Sequence, residues 1–547
     1  MDAPQANGQL PSPTGNIIGS KSSATQLGAC DGTPLQTIGI SSPVYHVTEE
    51  FGDHRKVASF YSPAPCMTPL GLPGVMDAEG RVDESRLRMH IFKNGGVSLS
   101  ERGQVWRFLF GMYPCSSTSL ERPLLQEQLS VRYHAMKMKW HKLLPSTIRM
   151  RLNGTDGKIC KIFVVLPVKW LLSGTFSLPF IPLSCGGSLA ELVAAVQYFD
   201  ARQERVQQQA EDQSDEVRER LSFLELQAQV LLERVTFDLE ELQEAIRIID
   251  KDVPRTDRDL PYYSAFGVGE RRLMLQFTLK KRPSVEETRT EEFEEGEGLG
   301  NLLVLRDILI TYAAFHPEVS YAQGMNDLCS RFLEVLDSEV DTYWSFSCYM
   351  EKFSKDFRAD GLHRKIELEA ALLKELDPQL HTHLITDNME SFTFCHRWLL
   401  LGFQREFEHY DALRLFEILS CDHLELISQK VDRARYQERI ARRHSIEDKP
   451  VCESQAVNTE FTFELFICAT ILLDNRDALL RCRNDVQLIQ FANSLQGTLD
   501  LNSTLKKAEE HFYNYCKRST WDYMNSLCRA RKNKEDHFLY QLRSFFS

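Results

Sequence analysis

The sequence predicts an all-α fold. From Leu302 to Tyr515, apolar side chains recur at the three- and four-residue spacing that places them on one face of a helix. The alternation of apolar and polar residues between hairpin turns, which marks β-strands, is nearly absent. With 547 residues, of which 43% are hydrophobic, the chain is long enough to bury a substantial core of packed helices.

An N-terminal arm is expected to precede the helical domain. Residues 1–85 are rich in Ser, Pro, Gly, Thr and Gln and show little hydrophobic periodicity, so burial cannot offset the entropy of ordering them. We therefore predict a disordered arm over 1–85 and a helical domain over 86–520. The first helix is predicted to start at a serine cap near Ser98, to bury Trp106 and to end at Tyr113-Pro114.

An inserted segment is expected after a basic helix at about Tyr133–Lys142. Residues 144–235 form this insertion, and its first part has no recognisable pattern. Within it, Trp170–Ala190 contains no charged residue, as a membrane-spanning helix of about 20 residues would require. Two prolines, three glycines and four serines make it a poor spanning helix, because helix breakers in lipid leave backbone groups without partners. A soluble insertion is therefore favoured over a membrane span.

An amphipathic helical arm is predicted over Leu189–Ile249, overlapping the end of the insertion. Leucine, valine and isoleucine recur there at spacings of three, four and seven, between Gln, Glu and Arg residues. This pattern is typical of a short coiled coil that binds another chain, and equally of a helix that packs on its own domain. Both interpretations stay open.

Three further segments interrupt the helical pattern. An acidic loop is expected at about 283–299, where Glu286–Glu297 holds seven glutamates against the single Arg289. Such a run is typical of a solvated loop, and less often of a gate or a contact for a basic surface. Residues 428–457 are expected to form an arginine-rich linker, and 521–547 a C-terminal tail.

Composition excludes several classes of function. The formal net charge of −13 and the absence of a basic stripe argue against a nucleic-acid-binding protein. The fourteen cysteines include no CxxC pair and no Cys/His set at zinc-ligand spacing, so no metal site is expected and reduced thiols in a cytoplasmic protein are favoured. The N-terminus lacks the apolar run of a signal peptide.

No motif of a self-contained active site is found. The chain has no GxxxxGK[ST] phosphate loop, no GxGxxG, no HExxH and no GxSxG. A helical protein of this kind can still act in catalysis if it completes the active site of another protein. It would then be an activator rather than a self-contained enzyme.

Two segments fit that role. They read IDKDVPRTDR at 249–258 and VSYAQGMND at 319–327. Together they resemble the arginine-finger motif (Ile-x-x-Asp-x-x-Arg) and the glutamine-finger motif (Tyr-x-Gln) of the TBC-domain family of Rab GTPase-activating proteins. Further blocks are similar to the same family: RGQVWRFL at 102–109, CHRWLLL at 395–401, REF at 405–407 and the apolar stretch 461–472. The ordered combination is more specific than either finger alone.

The resemblance implies a multi-helix TBC domain and a division of roles. Arg255 would stabilise the charge that develops on the γ-phosphate, since a guanidinium is always protonated and donates two hydrogen bonds to phosphate oxygens. Gln323 would position the attacking water, because an amide both donates and accepts. Asp252 would orient Arg255 by a charge-assisted hydrogen bond, and Tyr321, beside Gln323, is a second supporting residue.

The resemblance also implies partners and a cellular setting. The partner would be a GTP-bound Rab-type GTPase, and GTP and magnesium would belong to it, so this chain needs no cofactor of its own. The family acts in vesicle trafficking, which implies a cytoplasmic protein that its Rab recruits peripherally to endomembranes. An alternative is a Rab-binding adaptor or scaffold without catalysis. Taken alone, Arg255 could equally lie in a solvated loop, and Gln323 in a turn before a helix capped by Asn326 or Asp327.

Overall fold

The computed structural model describes most of the chain between residues 74 and 515. The described residues are 74–143, 149–153, 159–164, 189–211, 214–257, 259–264, 294, 296–385, 392–422, 424 and 461–515. For the two strands and for the ends of one helix only the backbone is described.

The described residues form seventeen helices. In chain order they are α1 Glu84–Asn94, α2 Leu99–Leu109, α3 Glu121–Leu143, α4 Leu189–Glu211, α5 Asp215–Glu233, α6 Leu239–Asp252, α7 Glu297–Phe315, α8 Met325–Leu336, α9 Glu339–Phe353, α10 Ala359–Leu376, α11 Pro378–Leu384, α12 His396–Leu401, α13 His409–Ser420, α14 Phe463–Asp474, α15 Arg476–Leu479, α16 Asp485–Ser494 and α17 501–515. Short 3₁₀ turns lie at Val253–Arg255, Pro261–Tyr263, Ser354–Phe357 and Thr393–Cys395. The all-α prediction is confirmed.

One small hairpin is added to the helices. Strands β1 (Arg149–Asn153) and β2 (Ile159–Val164) pair antiparallel, with Arg149 opposite Val164 and a register shift between Arg151 and Asn153. The backbone of β1 passes beside the end of α6 and the 3₁₀ turn that follows it. The hairpin is the only described part of the stretch 144–188, so the uncharged run at 170–190 lies almost wholly outside the described residues.

Helix α7 forms the centre of the first of two hydrophobic clusters. Nearly all of its residues are buried, from Gly298 to Ala314, and it packs against α3, α4, α6, α8 and α9. Among the described residues it is the one helix long and apolar enough to cross a membrane. Since 94% of the apolar window is buried inside the protein, its composition is that of a core helix.

Aromatic side chains fill the middle of this first cluster. Trp106 of α2 is fully buried, as predicted, with the rings of Phe110, Phe332 and Phe416 at centroid distances of 4.9, 5.3 and 5.6 Å. Edge-to-face and tilted contacts at these distances add to the burial of apolar area. They join α2 to α8 and α13, which lie far from it in sequence.

The second cluster is built from the C-terminal helices. It holds the buried side chains of α10 to α12, α14, α16 and α17, and Trp398 of α12 is fully buried within it. Helix α13 contributes to both clusters, through Leu413 and Phe416 to the first and Leu415 and Ile418 to the second. The two clusters therefore meet along α13 and the end of α12.

Residues near the expected domain start and inside the expected insertion belong to the core. Val75 and Val82, within the range assigned to the arm, are 4% and 6% exposed, while 1–73 lie outside the described residues. Helix α4 packs so closely on the start of α7 that a Cβ added to Gly300 would lie 2.4 Å from the ring of Tyr198. Glycine at this position permits the approach of the two helices.

Several boundaries differ from the sequence expectations. Ser98 is the N-cap of α2, but its side chain makes no capping hydrogen bond, and the helix ends at Leu109 rather than at Tyr113-Pro114. The arm predicted over Leu189–Ile249 is divided into α4, α5 and α6. The break between α5 and α6 ends at Asp238, the N-cap of α6, whose side chain accepts hydrogen bonds from the backbone N–H groups of Glu240 and Glu241. The chain therefore turns there instead of continuing as one helix. The linker 428–457, the tail 521–547 and most of the acidic loop lie outside the described residues.

A buried carboxyl in α17 predicts a pH dependence of stability. Glu509 is 2% exposed, and burial raises the pKa of its carboxyl to about 8. Because the folded pKa exceeds the unfolded one, stability is fully present below about pH 4.5 and is lost as the pH rises through 8. We expect Glu509→Gln to raise the free energy of unfolding by roughly 2–4 kcal/mol at pH 9 and to change it little at pH 4.5.

Urea denaturation of both proteins across this pH range measures the effect. The exposed neighbour Glu510 provides the control, because Glu510→Gln removes a carboxylate from the same turn without relieving burial. A stability difference between wild type and Glu509→Gln that stays constant with pH would contradict the assignment.

Candidate functional site

The first candidate loop follows helix α6. The buried face of α6, with Leu242, Ile246 and Ile249, packs in the first cluster. This packing fixes the position of Asp252, where the helix ends. Val253 and Pro254 continue into a 3₁₀ turn and are buried. Arg255, the last residue of that turn, has a side chain that is 56% exposed. The buried residues of the turn thus anchor it to the core, while the side chain of Arg255 projects outward.

The second candidate loop joins α7 to α8. Gly324 has φ 97° and is the N-cap of α8, so the left-handed conformation there favours glycine. This corrects the sequence reading in which Asn326 or Asp327 would cap the helix, since both lie inside α8 and are buried. Tyr321 is 5% exposed, whereas Gln323, two residues later, is exposed. The loop therefore presents its glutamine and buries its tyrosine.

Both exposed side chains line one cleft. It has a volume of about 450 Å³, and Asp252, Arg255, Gln323, Gly324, Asn326 and Asp327 form one wall. The other wall comes from α12 and the residues just after it and consists of His396, Arg397, Leu400, Leu401 and Arg405. In this helix Leu399 packs in the second cluster and Leu401 in the first. The cleft is therefore at the junction of the two clusters, and the structure brings all the finger residues except the buried Tyr321 to its surface.

A buried polar network lies beneath the cleft and connects the two loops. The hydroxyl of Tyr321 is 3.2 Å from Oδ2 of Asp252 and 3.3 Å from Oδ1 of Asn326. Asn326 donates through Nδ2 to the carbonyl of Asp252 at 3.3 Å and to Oγ1 of Thr256 at 3.2 Å. The residues before and after Arg255 are thus tied to the loop that carries Gln323.

Burial shifts the titration of this network. It raises the pKa of Asp252 above its ordinary value, while the Tyr321 hydroxyl and Arg255 pull that pKa down. Burial and the neighbouring Asp252 raise the pKa of the Tyr321 phenol well above its usual range. The phenol therefore keeps its proton at neutral pH and remains available as a donor.

The contact between Asp252 and Arg255 is looser than the sequence predicts. Nη1 of Arg255 is 3.8 Å from Oδ1 of Asp252, which is an ion-pair distance and exceeds that of a charge-assisted hydrogen bond. The carboxylate is instead engaged by Tyr321. As a result, the guanidinium keeps its donors directed toward solvent and the cleft.

Two additional arginines lie on the opposite wall. Nη2 of Arg405 is 3.2 Å from Oδ2 of Asp327, and Nη2 of Arg397 is 2.8 Å from Oε1 of the buried Glu406. Burial raises the pKa of Asp327, and Arg405 opposes that change. With Arg255, these side chains give the cleft three guanidinium groups against the two carboxyl groups of Asp252 and Asp327, an excess of positive charge that favours an anionic ligand.

The sequence does not predict the contacts of Asn326, Asp327 or Arg405 in the cleft. All three fall within the motif blocks quoted above, so the signal was present, but only the spatial approach of the loops shows what they contact. Among the described residues, no group of His, Cys, Asp and Glu side chains could hold a metal ion. The chemistry available in the cleft is that of positioned cations and amides.

Comparison with known proteins finds the family that the motif blocks resemble. Residues 284–431 match the family model of the Rab-GTPase-TBC domain. The matched region includes α7 to α13 and the loop with Gln323, while Arg255 precedes it.

Curated relatives match parts of the chain. The GTPase-activating protein GYP7 of Yarrowia lipolytica is 24% identical over 468 residues, which cover 84% of this chain and 45% of that protein. TBC1 domain family member 17 of Homo sapiens is 41% identical over 133 residues, which cover 24% of this chain and 20% of that protein. The chain thus spans less than half the length of each of these relatives.

One solved structure is similar at low identity. The Ypt/Rab-GAP domain of Gyp1p matches with 16% identity and a TM-score of 0.42, over 82% of this chain and 95% of that one.

Proposed function

We propose that this chain, which belongs to the TBC-domain family, is a GTPase-activating protein for Rab-type small GTPases and supplies Arg255 and Gln323 to the partner's active site. One observation carries the proposal. Arg255 and Gln323 are exposed on the same wall of one cleft, and a buried network links the two loops that bear them. Separate solvated loops would not require such a connection.

The proposed role of Arg255 follows from the charge that develops during phosphoryl transfer. The γ-phosphate oxygens and the bridging oxygen gain negative charge in the transition state, and a positioned guanidinium stabilises it. Arg255 is suited to this role because its turn is anchored by buried Val253 and Pro254 while its own side chain is exposed. A side chain already projecting from a fixed turn loses little freedom when the partner binds.

The proposed role of Gln323 is to hold the attacking water. Its amide can accept a hydrogen bond from the water while donating to a phosphate oxygen or a main-chain group of the partner. Tyr321 and Gly324 fix the backbone on both sides of Gln323, the first by burial and the second by its left-handed conformation. We infer that GTP and magnesium belong to the partner, which is recognised in its GTP-bound form.

The proposed setting is the cytoplasmic face of endomembranes. The relatives' names describe GTPase-activating proteins, and Rab-type GTPases would bring this chain to the membrane on which they lie. Peripheral recruitment through the GTPase needs no membrane-spanning segment.

A single-turnover assay tests the proposal. GTP hydrolysis by a panel of purified Rab GTPases is measured with and without the full chain, and with the Arg255→Ala and Gln323→Ala variants. We expect a strong acceleration for a subset of the panel, which either variant removes. If no Rab responds while GTP-dependent binding is retained by wild type and both variants, the chain is an adaptor and the catalytic proposal is wrong.

The bridging amide of Asn326 predicts a selective loss of turnover. Asn326→Ala removes the donor shared by the Asp252 carbonyl and Thr256, so the arginine loop is no longer held in register with the glutamine loop. We expect kcat to fall by about 10- to 100-fold, because misplacing a catalytic group by a fraction of an ångström is costly, with little change in KM for the GTP-loaded GTPase.

Ser330→Ala is the matched control for this variant. Ser330 is also buried in α8, and its hydroxyl donates to the carbonyl of Asp327 and connects no second loop among the described residues. Both variants should lose similar stability, about 1 kcal/mol, in denaturant unfolding. Equal effects of the two variants on kcat would show that Asn326 acts through stability alone.

A further inference from the structure

Helix α5 is apolar on two opposite faces, and only one of them is packed. The packed face lies against α3, where Arg220 pairs with Glu127 at 2.8 Å and Ala228 is 6% exposed. At about 100° per residue, Phe223, Leu226 and Val230 lie on the side of the helix opposite Ala228. These three side chains are 65%, 59% and 58% exposed. A surface helix normally carries polar residues on its outer face, so this face requires an explanation.

The exposed residues follow the pattern of a helix–helix seam. Phe223, Leu226 and Val230 are separated by three and four residues, which is the spacing of the core positions in a coiled coil. The stripe is bounded by charges on the same side of the helix: exposed Glu219 precedes it and exposed Arg234 follows it. Glu219, the apolar stripe and Arg234, with exposed Glu233 beside it, therefore follow one another along about four turns.

We propose that this stripe binds the same stripe of a second copy of the chain, with the two α5 helices antiparallel. A two-fold axis between Leu226 and Gln227 places Glu219 opposite Arg234 of the other copy, and Phe223 opposite its Val230, on both sides of the axis. A parallel pairing would instead set Glu219 beside Glu219 and Arg234 beside Arg234. The charge order thus makes the stripe complementary to itself in one orientation.

The charges argue against a lipid surface as the occupant. Amphipathic helices that lie on membranes are rich in Lys and Arg on their polar face. Helix α5 contains no lysine, and five acidic residues stand against two arginines within Asp215–Glu233. Anionic lipid headgroups would repel this balance.

The size of the stripe predicts a weak dimer. The three exposed apolar side chains offer roughly 300 Å² per copy, less than half of the ~800 Å² per partner in a standard interface. Association in the micromolar range is therefore expected. No residue of α5 lines the cleft with Arg255, so the proposed contact uses none of the side chains of that cleft.

Sedimentation equilibrium of the full chain over micromolar concentrations tests the proposal. We expect the mass to rise from the monomer's 63.1 kDa toward twice that value, and Leu226→Glu to weaken association at least tenfold. Val486→Glu, a change of the same kind at another exposed apolar residue, should leave association unchanged. Neither variant should alter stimulated GTP hydrolysis per site.

Charge reversal tests the orientation. Glu219→Arg alone should weaken the dimer about three- to tenfold, because it opposes Arg234 of the other copy, and the double variant with Arg234→Glu should restore it. A chain that stays monomeric throughout, or a dimer indifferent to Leu226→Glu, overturns the proposal. If the chain is monomeric and Leu226→Glu instead reduces its cosedimentation with phosphatidylserine vesicles, the stripe is a membrane contact. A double reversal that fails to restore the dimer overturns the antiparallel pairing.

Discussion

Arg255→Ala is expected to lower the rate of stimulated GTP hydrolysis by about 10³-fold or more, while binding to the GTP-loaded GTPase is largely retained. The guanidinium interacts with charge that exists fully only in the transition state, so its removal affects kcat more than KM. Among the described residues, the side chain of Arg255 contacts only Asp252, at 3.8 Å, and it is 56% exposed. Its removal should therefore change the free energy of unfolding by less than about 0.5 kcal/mol.

Lysine at this position should rescue little. Arg255→Lys keeps the positive charge but loses the planar group that donates two hydrogen bonds at once. We expect it to remain within about tenfold of the alanine variant in single-turnover rate. The ammonium group of lysine would be sufficient only if the site stabilised the phosphate through positive charge alone, without paired hydrogen bonds.

Arg247→Ala is the matched control. Arg247 lies on α6, two turns before Arg255, is 68% exposed and pairs with Glu244, but does not line the cleft. Its removal should leave both kcat and KM unchanged. Equal losses for Arg247→Ala and Arg255→Ala, or full activity of the latter, would remove Arg255 from the proposed mechanism.

The sequence was informative where structure depends on neighbours in the chain. The apolar spacing located α7 and the burial of Trp106, because helical periodicity is a local property of the sequence. It did not show that α7 is buried on nearly all sides. The two finger motifs each predicted one exposed side chain on a loop. Their meeting in one cleft was expected only through the family resemblance, since periodicity does not fix how two loops approach each other.

Contacts between distant residues were not predictable in the same way. Asn326 reaches the carbonyl of Asp252, 74 positions earlier, and this contact exists only because α6 and α8 pack on the same core helix. The Asp252–Arg255 spacing predicted a hydrogen bond that the structure replaces with a Tyr321 contact. The spacing in the sequence shows which side chains can reach each other. Burial then determines which of the competing partners forms the hydrogen bond.

Glu417 illustrates the same limit in the core. It follows Phe416 in the apolar pattern of α13, and an isolated glutamate in a helix usually faces solvent. The structure buries it completely. Its carboxylate accepts hydrogen bonds from Nε of Arg102 at 2.6 Å, from Nε1 of Trp106 at 2.8 Å and from the backbone N–H of Val97 at 2.8 Å. One side chain thus satisfies three donors at the start of α2.

Glu417→Ala is therefore expected to destabilise the fold by about 3–5 kcal/mol. The substitution leaves the guanidinium of Arg102, itself 2% exposed, without its counter-charge, and it leaves the Trp106 indole without an acceptor. Urea unfolding followed by tryptophan fluorescence measures the loss. As a contrast, Glu367→Ala breaks the exposed pairs with His363 and Arg364 on α10 and should cost no more than about 0.5 kcal/mol.

Glu417→Gln separates the contribution of charge from that of shape. The amide oxygen can still accept from Trp106 or Val97, but the amide carries no charge for Arg102, so the loss should be intermediate between wild type and alanine. A loss below about 1 kcal/mol for alanine would mean that Arg102 finds another acceptor, and the carboxyl of Glu417 would then not be what joins α2 to α13. Because α13 contributes to both hydrophobic clusters, a weakened Glu417 contact should also loosen the junction at which the cleft lies. Stimulated hydrolysis by the glutamine variant should consequently decline at lower temperature than that by wild type.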